Sequence, residues 1–252
     1  MGEIGTALLL TLAAGLSTAV GALWVVLRGT PTNRWLAAAY GFSAGVMLYI
    51  SFAELLVAAQ GTFVETHGER YGSLIAASFF LAGIIGMGCF ERVFPEPEVD
   101  DPKGRDRRIG WLTAAAVMLH NFPEGIATFT SSLGDVHVGM AVALAIAVHN
   151  IPEGIAVAAP VHRATGSRRI ALAWGLMSGL AEPIGGLAAY LFLRPWMSEP
   201  VIAGVDAVVG GIMVYVSIHV LMPQADRLRD GRTSFVGPAA GMAAMALSLA
   251  WV

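Results

Sequence analysis

Charged side chains are scarce in this chain: Asp, Glu, Lys and Arg together make up 13% of its 252 residues. That share is about half of what soluble globular domains carry. Hydrophobic residues account for 56% of the chain, and the mean hydropathy is +0.68. The strict alternation of apolar and polar residues that marks a membrane β-barrel is lacking as well. These features disfavour a soluble protein and a barrel, and they predict an all-α integral membrane protein.

Cysteine is nearly absent too. Cys89 is the single cysteine, so the chain can form neither an intramolecular disulfide nor a thiolate metal cluster. We expect Cys89 to pack in the protein interior, as free cysteines usually do. The basic residues are scattered over short segments, which excludes a nucleic-acid-binding role. No Lys or Arg precedes Ile4, so we expect a retained first helix and not a cleaved signal peptide.

Long apolar stretches dominate what is present. Each is close to the ~20 residues that an α-helix needs to cross a bilayer. They cover residues 4–27, 35–58, 72–90, 110–132, 138–160, 170–193, 201–223 and 234–252. We predict eight transmembrane helices in a single domain, residues 1–252, with residues 91–109 as a proline-containing cytoplasmic linker.

The basic residues also predict the orientation. Of the 15 Lys and Arg residues, 13 fall in one alternating set of loops, and only Arg70 and Arg194 fall in the other. Loops that are rich in Lys and Arg stay in the cytoplasm. Because eight crossings return the chain to its starting side, we predict a multi-pass protein of the cell (inner) membrane with both termini outside the cytoplasm.

Two near-identical hexapeptides, HNFPEG at residues 120–125 and HNIPEG at residues 149–154, interrupt two of these apolar stretches. A histidine, an amide and a carboxylate are costly in hydrocarbon and persist where they line a cavity or bind something. On a helix, residues four apart share a face, so His120 lies over Glu124 and His149 over Glu153. If the two helices face each other, two imidazoles and two carboxylates meet at the bilayer centre.

Three further polar residues extend this cluster. Asn121 and Asn150 lie about 100° round the helix from their histidines, beside the carboxylates. Glu182 is a third carboxylate within a predicted span. Because carboxylates can bridge, two adjacent metal positions are possible. Imidazole nitrogen with carboxylate and amide oxygen, and no sulfur, suits Zn(II), Fe(II), Mn(II) or Co(II).

A weaker internal repeat accompanies the hexapeptides. Residues 44–51 match residues 210–217 at an offset of 166, and Gly15 and Gly21 match Gly179 and Gly185 at an offset of 164. The matched helices cross in opposite directions in the predicted topology. Similarity between oppositely oriented halves is typical of inverted-repeat transporters, whose substrate binds near the midplane. We therefore expect a three-two-three bundle with helices four and five at the centre.

The paired hexapeptides, together with Ser178-Gly179-Leu180-Ala181-Glu182, resemble the ZIP (Zrt-, Irt-like protein) divalent metal transporters, and within them a bacterial zinc-transporter branch. The resemblance runs along the whole chain. It implies eight helices, a binuclear site on helices four and five, and movement of Zn(II), often also Fe(II), Mn(II) or Co(II), into the cytoplasm. It also implies a homodimer in the lipid bilayer, and no resident cofactor.

By this resemblance, both hexapeptide glutamates would bridge two metal positions. The first position would use His120, Glu124, His149 and Glu153. The second would use Asn121, Glu124, Asn150, Glu153 and Glu182.

The chain departs from the family pattern in two places. Residues 91–109 contain no histidine, whereas many ZIP proteins carry a His-rich loop there. Ser217 is not followed by the carboxylate that Ser51 has in Glu54, and we expect His219 to serve as an accessory ligand or to make an interhelical hydrogen bond. Glu54 itself is either a gate ligand or a carboxylate that reaches the membrane interface.

Other functions remain open at this point. A membrane-embedded di-metal oxidoreductase is the main alternative, although such enzymes need more histidines than the three within these spans. A proton-coupled carrier of an organic solute would leave the duplicated Asn unexplained. A zinc protease would need His-Glu-x-x-His, which is absent. We therefore expect a metal importer and no enzyme.

Overall fold

The computed structural model describes residues 2–29, 32–92, 102–134, 136–193, 196, 198–228 and 236–249. Within these ranges every regular element is helical, which confirms the all-α prediction for the part of the chain described. Where helical segments follow one another directly, we treat them as one helix, which gives eight helices in these ranges. They are α1 (Glu3–Arg28), α2 (Asn33–His67), α3 (Glu69–Glu91), α4 (Pro102–Gly134), α5 (Val136–Thr165), α6 (Arg168–Ala188, continued by Ala189–Leu193), α7 (Glu199–Arg227) and α8 (Val236–Leu249).

Six helices in the described ranges are long and apolar enough to cross a membrane. They are Glu3–Arg28, Asn33–His67, Glu69–Glu91, Val142–Thr165, Arg168–Phe192 and Glu199–Arg227. The apolar helix Val236–Ser248 is shorter, and α4 does not belong to the six. The chain is therefore a multi-pass membrane protein by helix length and composition, and eight crossings remain a prediction.

Two helices extend furthest beyond the apolar stretches that predicted them. α2 was expected to end near residue 58 but continues to His67, because Phe63 stacks on Phe79 of α3 at 5.8 Å and holds the two helices together. It ends at Gly68, whose φ of +79° suits glycine, and α3 begins at the next residue. α4 begins at Pro102, inside the expected linker, and residues 93–101 of that linker lie outside the described residues.

The matched segments of α2 and α7 share an unusual local structure. Ser51–Leu55 of α2 and Val216–Leu221 of α7 are both π-helical, and such turns are frequent at functional sites. The Ser51 hydroxyl donates to the Met47 carbonyl at 2.7 Å, and at the offset of 166 Ser217 donates to Met213 at the same distance. The similarity in sequence therefore extends to the backbone.

Contacts between helices correspond in the same way. Gly15 of α1 packs on the carbonyl oxygen of Gly179 in α6, and Gly179 packs on that of Gly15. Gly21 lies against the backbone of Ile151, in the second hexapeptide, and Gly185 lies against Phe122, at the same place in the first. A Cβ at any of these glycines would overlap the opposing backbone. Glycine thus permits the approach that seats α4 and α5 between α1 and α6.

Candidate metal site

The two hexapeptides lie in the middle of α4 and α5, which continue through Pro123 and Pro152. Gly125 packs on the backbone of Glu182 in α6, and Gly154 packs on the backbone of Thr18 in α1. Six of the seven predicted ligands are at most 4% exposed. These are Asn121, Glu124, His149, Asn150, Glu153 and Glu182. The side chain of His120 lies outside the described residues.

The first contact of the cluster joins the two central helices. His149 Nε2 of α5 lies 3.4 Å from Glu124 Oε2 of α4. Both side chains are buried, with exposed fractions of 0% for His149 and 5% for Glu124. An imidazole nitrogen and a carboxylate oxygen that face each other at this separation, in an apolar bundle, form the kind of donor pair that binds Zn(II).

The two amides are held by matching hydrogen bonds. Asn121 donates from Nδ2 to the carbonyl oxygen of Ser178 at 3.2 Å, and Asn150 donates from Nδ2 to that of Ala14 at 3.0 Å. Ala14 and Ser178 are themselves paired at the offset of 164. Asn150 also donates to Glu182 Oε1. Because a carbonyl can only accept, these bonds turn the amide oxygen of Asn121 away from the Ser178 carbonyl and that of Asn150 away from the Ala14 carbonyl.

Several oxygen atoms of the cluster have no hydrogen-bond partner among the described residues. They are Oδ1 of Asn121 and of Asn150, Oε1 of Glu124 and Oε2 of Glu182. A buried polar atom without a partner costs about 1–3 kcal/mol. The carboxylates of Glu124 and Glu153 also impose a negative potential on Glu182. Buried oxygens without a partner, close to several carboxylates, form a site that a divalent cation would stabilise.

Glu153 is held from a third helix. Ser43 of α2 donates its hydroxyl to Glu153 Oε1 at 3.5 Å. Neither Ser43 nor the hydrogen-bonded carbonyls of Ala14 and Ser178 could be identified from the sequence, because their roles depend on how the helices pack. The available signal for Ala14 and Ser178 was that they are 164 residues apart, the same offset that separates the matched glycines.

A cavity of about 340 Å³ reaches the cluster from one side. Glu124 and His149 lie on its wall, and so do Glu54 of the α2 π-helical segment and Asp206 of α7. Asp206 was not identified from the sequence. The available signal was that it is a carboxylate within a predicted span, which by itself indicates a functional position.

Comparison with known proteins identifies the family of the chain. Residues 95–249 match the model of the family described as ZIP zinc transporter. The chain is 44% identical, over 99% of its own length and 98% of the relative's, to the zinc transporter ZupT of Chlorobium phaeovibrioides. It is 45% identical to that of Corynebacterium glutamicum, over 95% and 96% of the two chains, and 42% identical to that of Oceanobacillus iheyensis, over 96% of each.

The chain belongs to the ZIP family. The resemblance noted in its hexapeptides is thereby confirmed, as is the prediction that it is a transporter and not an enzyme, because these ZIP relatives are named transporters. The oxidoreductase alternative has no support. The zinc named in these relatives is a transported ion.

One expectation about this ZIP protein is wrong, and one pair of alternatives is decided. The His219 side chain is 61% exposed, its Nε2 lies 3.4 Å from Glu91 Oε2 and its ring lies 5.0 Å from the Tyr215 ring, so of its two expected roles it makes the interhelical contact, near the end of α3, and does not join the cluster. Cys89 is exposed and not interior. Both residues lie on helix faces that the apolar pattern could not distinguish from buried ones.

Proposed function

We propose that this protein imports divalent metal cations, Zn(II) foremost, into the cytoplasm through a midplane site on α4 and α5. The observation that carries the proposal is the set of buried oxygens in the hexapeptides that have no partner among the described residues. Relatives named zinc transporters support zinc as the cargo. Fe(II), Mn(II) and Co(II) suit the same nitrogen and oxygen donors and are proposed as secondary cargoes.

The site holds two metal positions in this proposal. The first uses His120, Glu124, His149 and Glu153, and the second uses Asn121, Glu124, Asn150, Glu153 and Glu182. The contact between His149 and Glu124 supports the first, and the contact between Asn150 and Glu182 supports the second. Three carboxylates nearly balance two divalent cations, which makes the loaded cluster tolerable in a low dielectric.

The proposed architecture is an inverted repeat of eight transmembrane helices in a three-two-three arrangement. The π-helical segments and the glycine contacts that recur at offsets of 166 and 164 support it. The basic residues support termini outside the cytoplasm of the cell (inner) membrane. A C-terminal reporter that is active only in the cytoplasm, in a chain that still transports zinc, would overturn this orientation. We include homodimer formation in the proposal only because the family resemblance implies it.

The test is metal flux through the purified protein in liposomes that contain a fluorescent metal chelator. We expect zinc influx that saturates with concentration, smaller fluxes of Fe(II), Mn(II) and Co(II), and none of Mg(II). The matched control replaces Glu124 by Gln, which keeps the side-chain volume but removes the charge. Equal zinc flux through the wild type and Glu124→Gln would reject the site, and no flux of any cation would reject the function.

A further inference from the structure

The cavity leads from the cluster toward one end of the bundle. Val142 and Ile146 of its wall precede His149 on α5, by about 10 and 5 Å along the axis at 1.5 Å per residue. On α7, Asp206 lies only seven residues after Glu199, where the helix begins. The cavity therefore occupies the half of the bundle in which α5 and α7 start, which is the extracytoplasmic half in the proposed topology.

Asp206 faces this cavity together with two apolar residues of the same helix. Asp206, Val209 and Met213 all line it, at the i, i+3 and i+7 spacing of one helix face. No hydrogen bond or ion pair joins Asp206 to another residue in the part of the chain described. Glu124 lies deeper in the same cavity, and its Oε1 also has no hydrogen-bond partner among the described residues.

The opposite half of the bundle is closed at the corresponding place. The offset of 166 that pairs Ser51 with Ser217 pairs Tyr40 with Asp206. Tyr40 is fully buried and donates its hydroxyl to the carbonyl oxygen of Ala156 at 3.2 Å. Ala156 has the same position relative to the second hexapeptide as Ala127, a residue of the cavity wall, has relative to the first. One half of the bundle thus has the hydrogen-bonded Tyr40 at the position where the other half has Asp206 on the cavity wall.

We propose that Asp206 is the residue that attracts an incoming divalent cation and positions it before it moves inward to Glu124 and His149. The proposal rests on the proposed function and adds a capture step to it. A cleft lined by one sign of charge raises the local concentration of the counter-ion by 10-fold or more. Asp206 supplies that charge at the cavity wall, and Glu54, which lines the same cavity, supplies a second one.

The kinetic test is zinc uptake by cells that lack other importers, measured at buffered free zinc concentrations. We expect Asp206→Asn to raise the KM about 3- to 10-fold and to leave Vmax within a factor of two, because capture and not the bound state is weakened. Asp206→Glu keeps the charge and should keep the KM. Asp226→Asn is the matched control, since Asp226 lies exposed on the same helix away from the cavity.

Two outcomes of the kinetic test would overturn the proposal: an unchanged KM in Asp206→Asn, or a lower Vmax at an unchanged KM. If wild-type cells take up no metal at all, the proposed function fails and not the capture step alone. Uptake by the wild type together with an unaltered Asp206→Asn would reject the capture step only.

A chemical test does not need the Asn variant to fold. Because Cys89 is the single cysteine, Cys89→Ser gives a thiol-free background into which Asp206→Cys is placed. We expect a membrane-impermeant, positively charged thiol reagent added outside the cell to modify it, and Zn(II) to slow that reaction. Asp226→Cys should not react from that side. No reaction at position 206, or a rate that Zn(II) does not alter, would contradict the proposal.

Discussion

The hydroxyl of Tyr40 donates to the carbonyl oxygen of Ala156, and this buried bond ties α2 to α5 on the side of the cluster opposite the cavity. A buried hydrogen bond of this kind contributes about 1 kcal/mol, which corresponds to roughly a fivefold change in a population. The bond is therefore strong enough to bias which side of the site is closed.

We expect Tyr40→Phe to loosen the closed side without unfolding the protein. The readout is Val216→Cys in the Cys89→Ser background, because Val216 is buried and is the repeat partner of Ile50 in the open cavity. Its reaction with a thiol reagent from the cytoplasmic face should become about fivefold faster. Tyr71→Phe, at an exposed tyrosine, is the control, and equal rates in the two variants would argue against a closing role for Tyr40.

The two carboxylates that we propose to bridge the metal positions provide a second prediction. Glu124→Ala or Glu153→Ala removes a ligand from both proposed metal positions, so uptake should be nearly abolished while the protein still elutes as a single species in detergent. Glu69→Ala, on the exposed start of α3, should transport normally. Retention of more than about half of wild-type uptake by either cluster variant would show that the two positions do not share these residues.

The two proposed metal positions should differ in preference. His149 would contribute imidazole, a strong ligand for Zn(II), whereas Glu182 would belong to a position made of oxygens, which is harder and weaker for zinc. We expect His149→Ala to impair zinc uptake severely, and Glu182→Ala to leave it measurable but to change the ratio among zinc, iron and manganese. Competitive uptake of the three cations measures this. Equal losses of all three in both variants would mean that the positions are not functionally distinct.

The glycine contacts make a prediction about packing. A Cβ at Gly125 would overlap the backbone of Glu182, whereas a Cβ at Gly61 of α2 meets nothing within 4 Å. Gly125→Ala should therefore destabilise the protein by roughly 1–3 kcal/mol or more and abolish zinc uptake. Gly61→Ala should leave both unchanged or raise the stability slightly, since Ala favours helix. The unfolding midpoint in detergent and zinc uptake check this, and similar effects of the two changes would contradict it.

The sequence was most informative where the same residues occur twice. The duplicated hexapeptides indicated a site on two helices, and the structure places His149 beside Glu124 and Asn150 beside Glu182, across three helices. Hydropathy located the helices but not their ends, because contacts such as that of Phe63 with Phe79 extend α2 beyond its apolar stretch.

Some contacts could not be predicted from the sequence because they lie at positions where the repeat changes residue type. Tyr40 and Asp206 are equivalent by offset but chemically unlike, so neither draws attention to the other. Ser43 holds Glu153 only because α2 packs beside α5. His219 has the chemistry of a ligand, but its side chain is exposed and contacts Glu91 instead of the cluster, which depends on how α7 packs against α3.

The turn at Gly68 has a consequence for how cations reach the cavity. α2 and α3 meet there through one residue, and α4 and α5 are separated by a single position between Gly134 and Val136. In the described ranges, neither connection is long enough to fold over the cavity as a lid. We therefore expect that neither of these two connections slows the exchange of ions between the cavity and the medium. In the proposed orientation, a soluble chelator outside the cell should then compete directly with the carboxylates of the cavity wall for free metal.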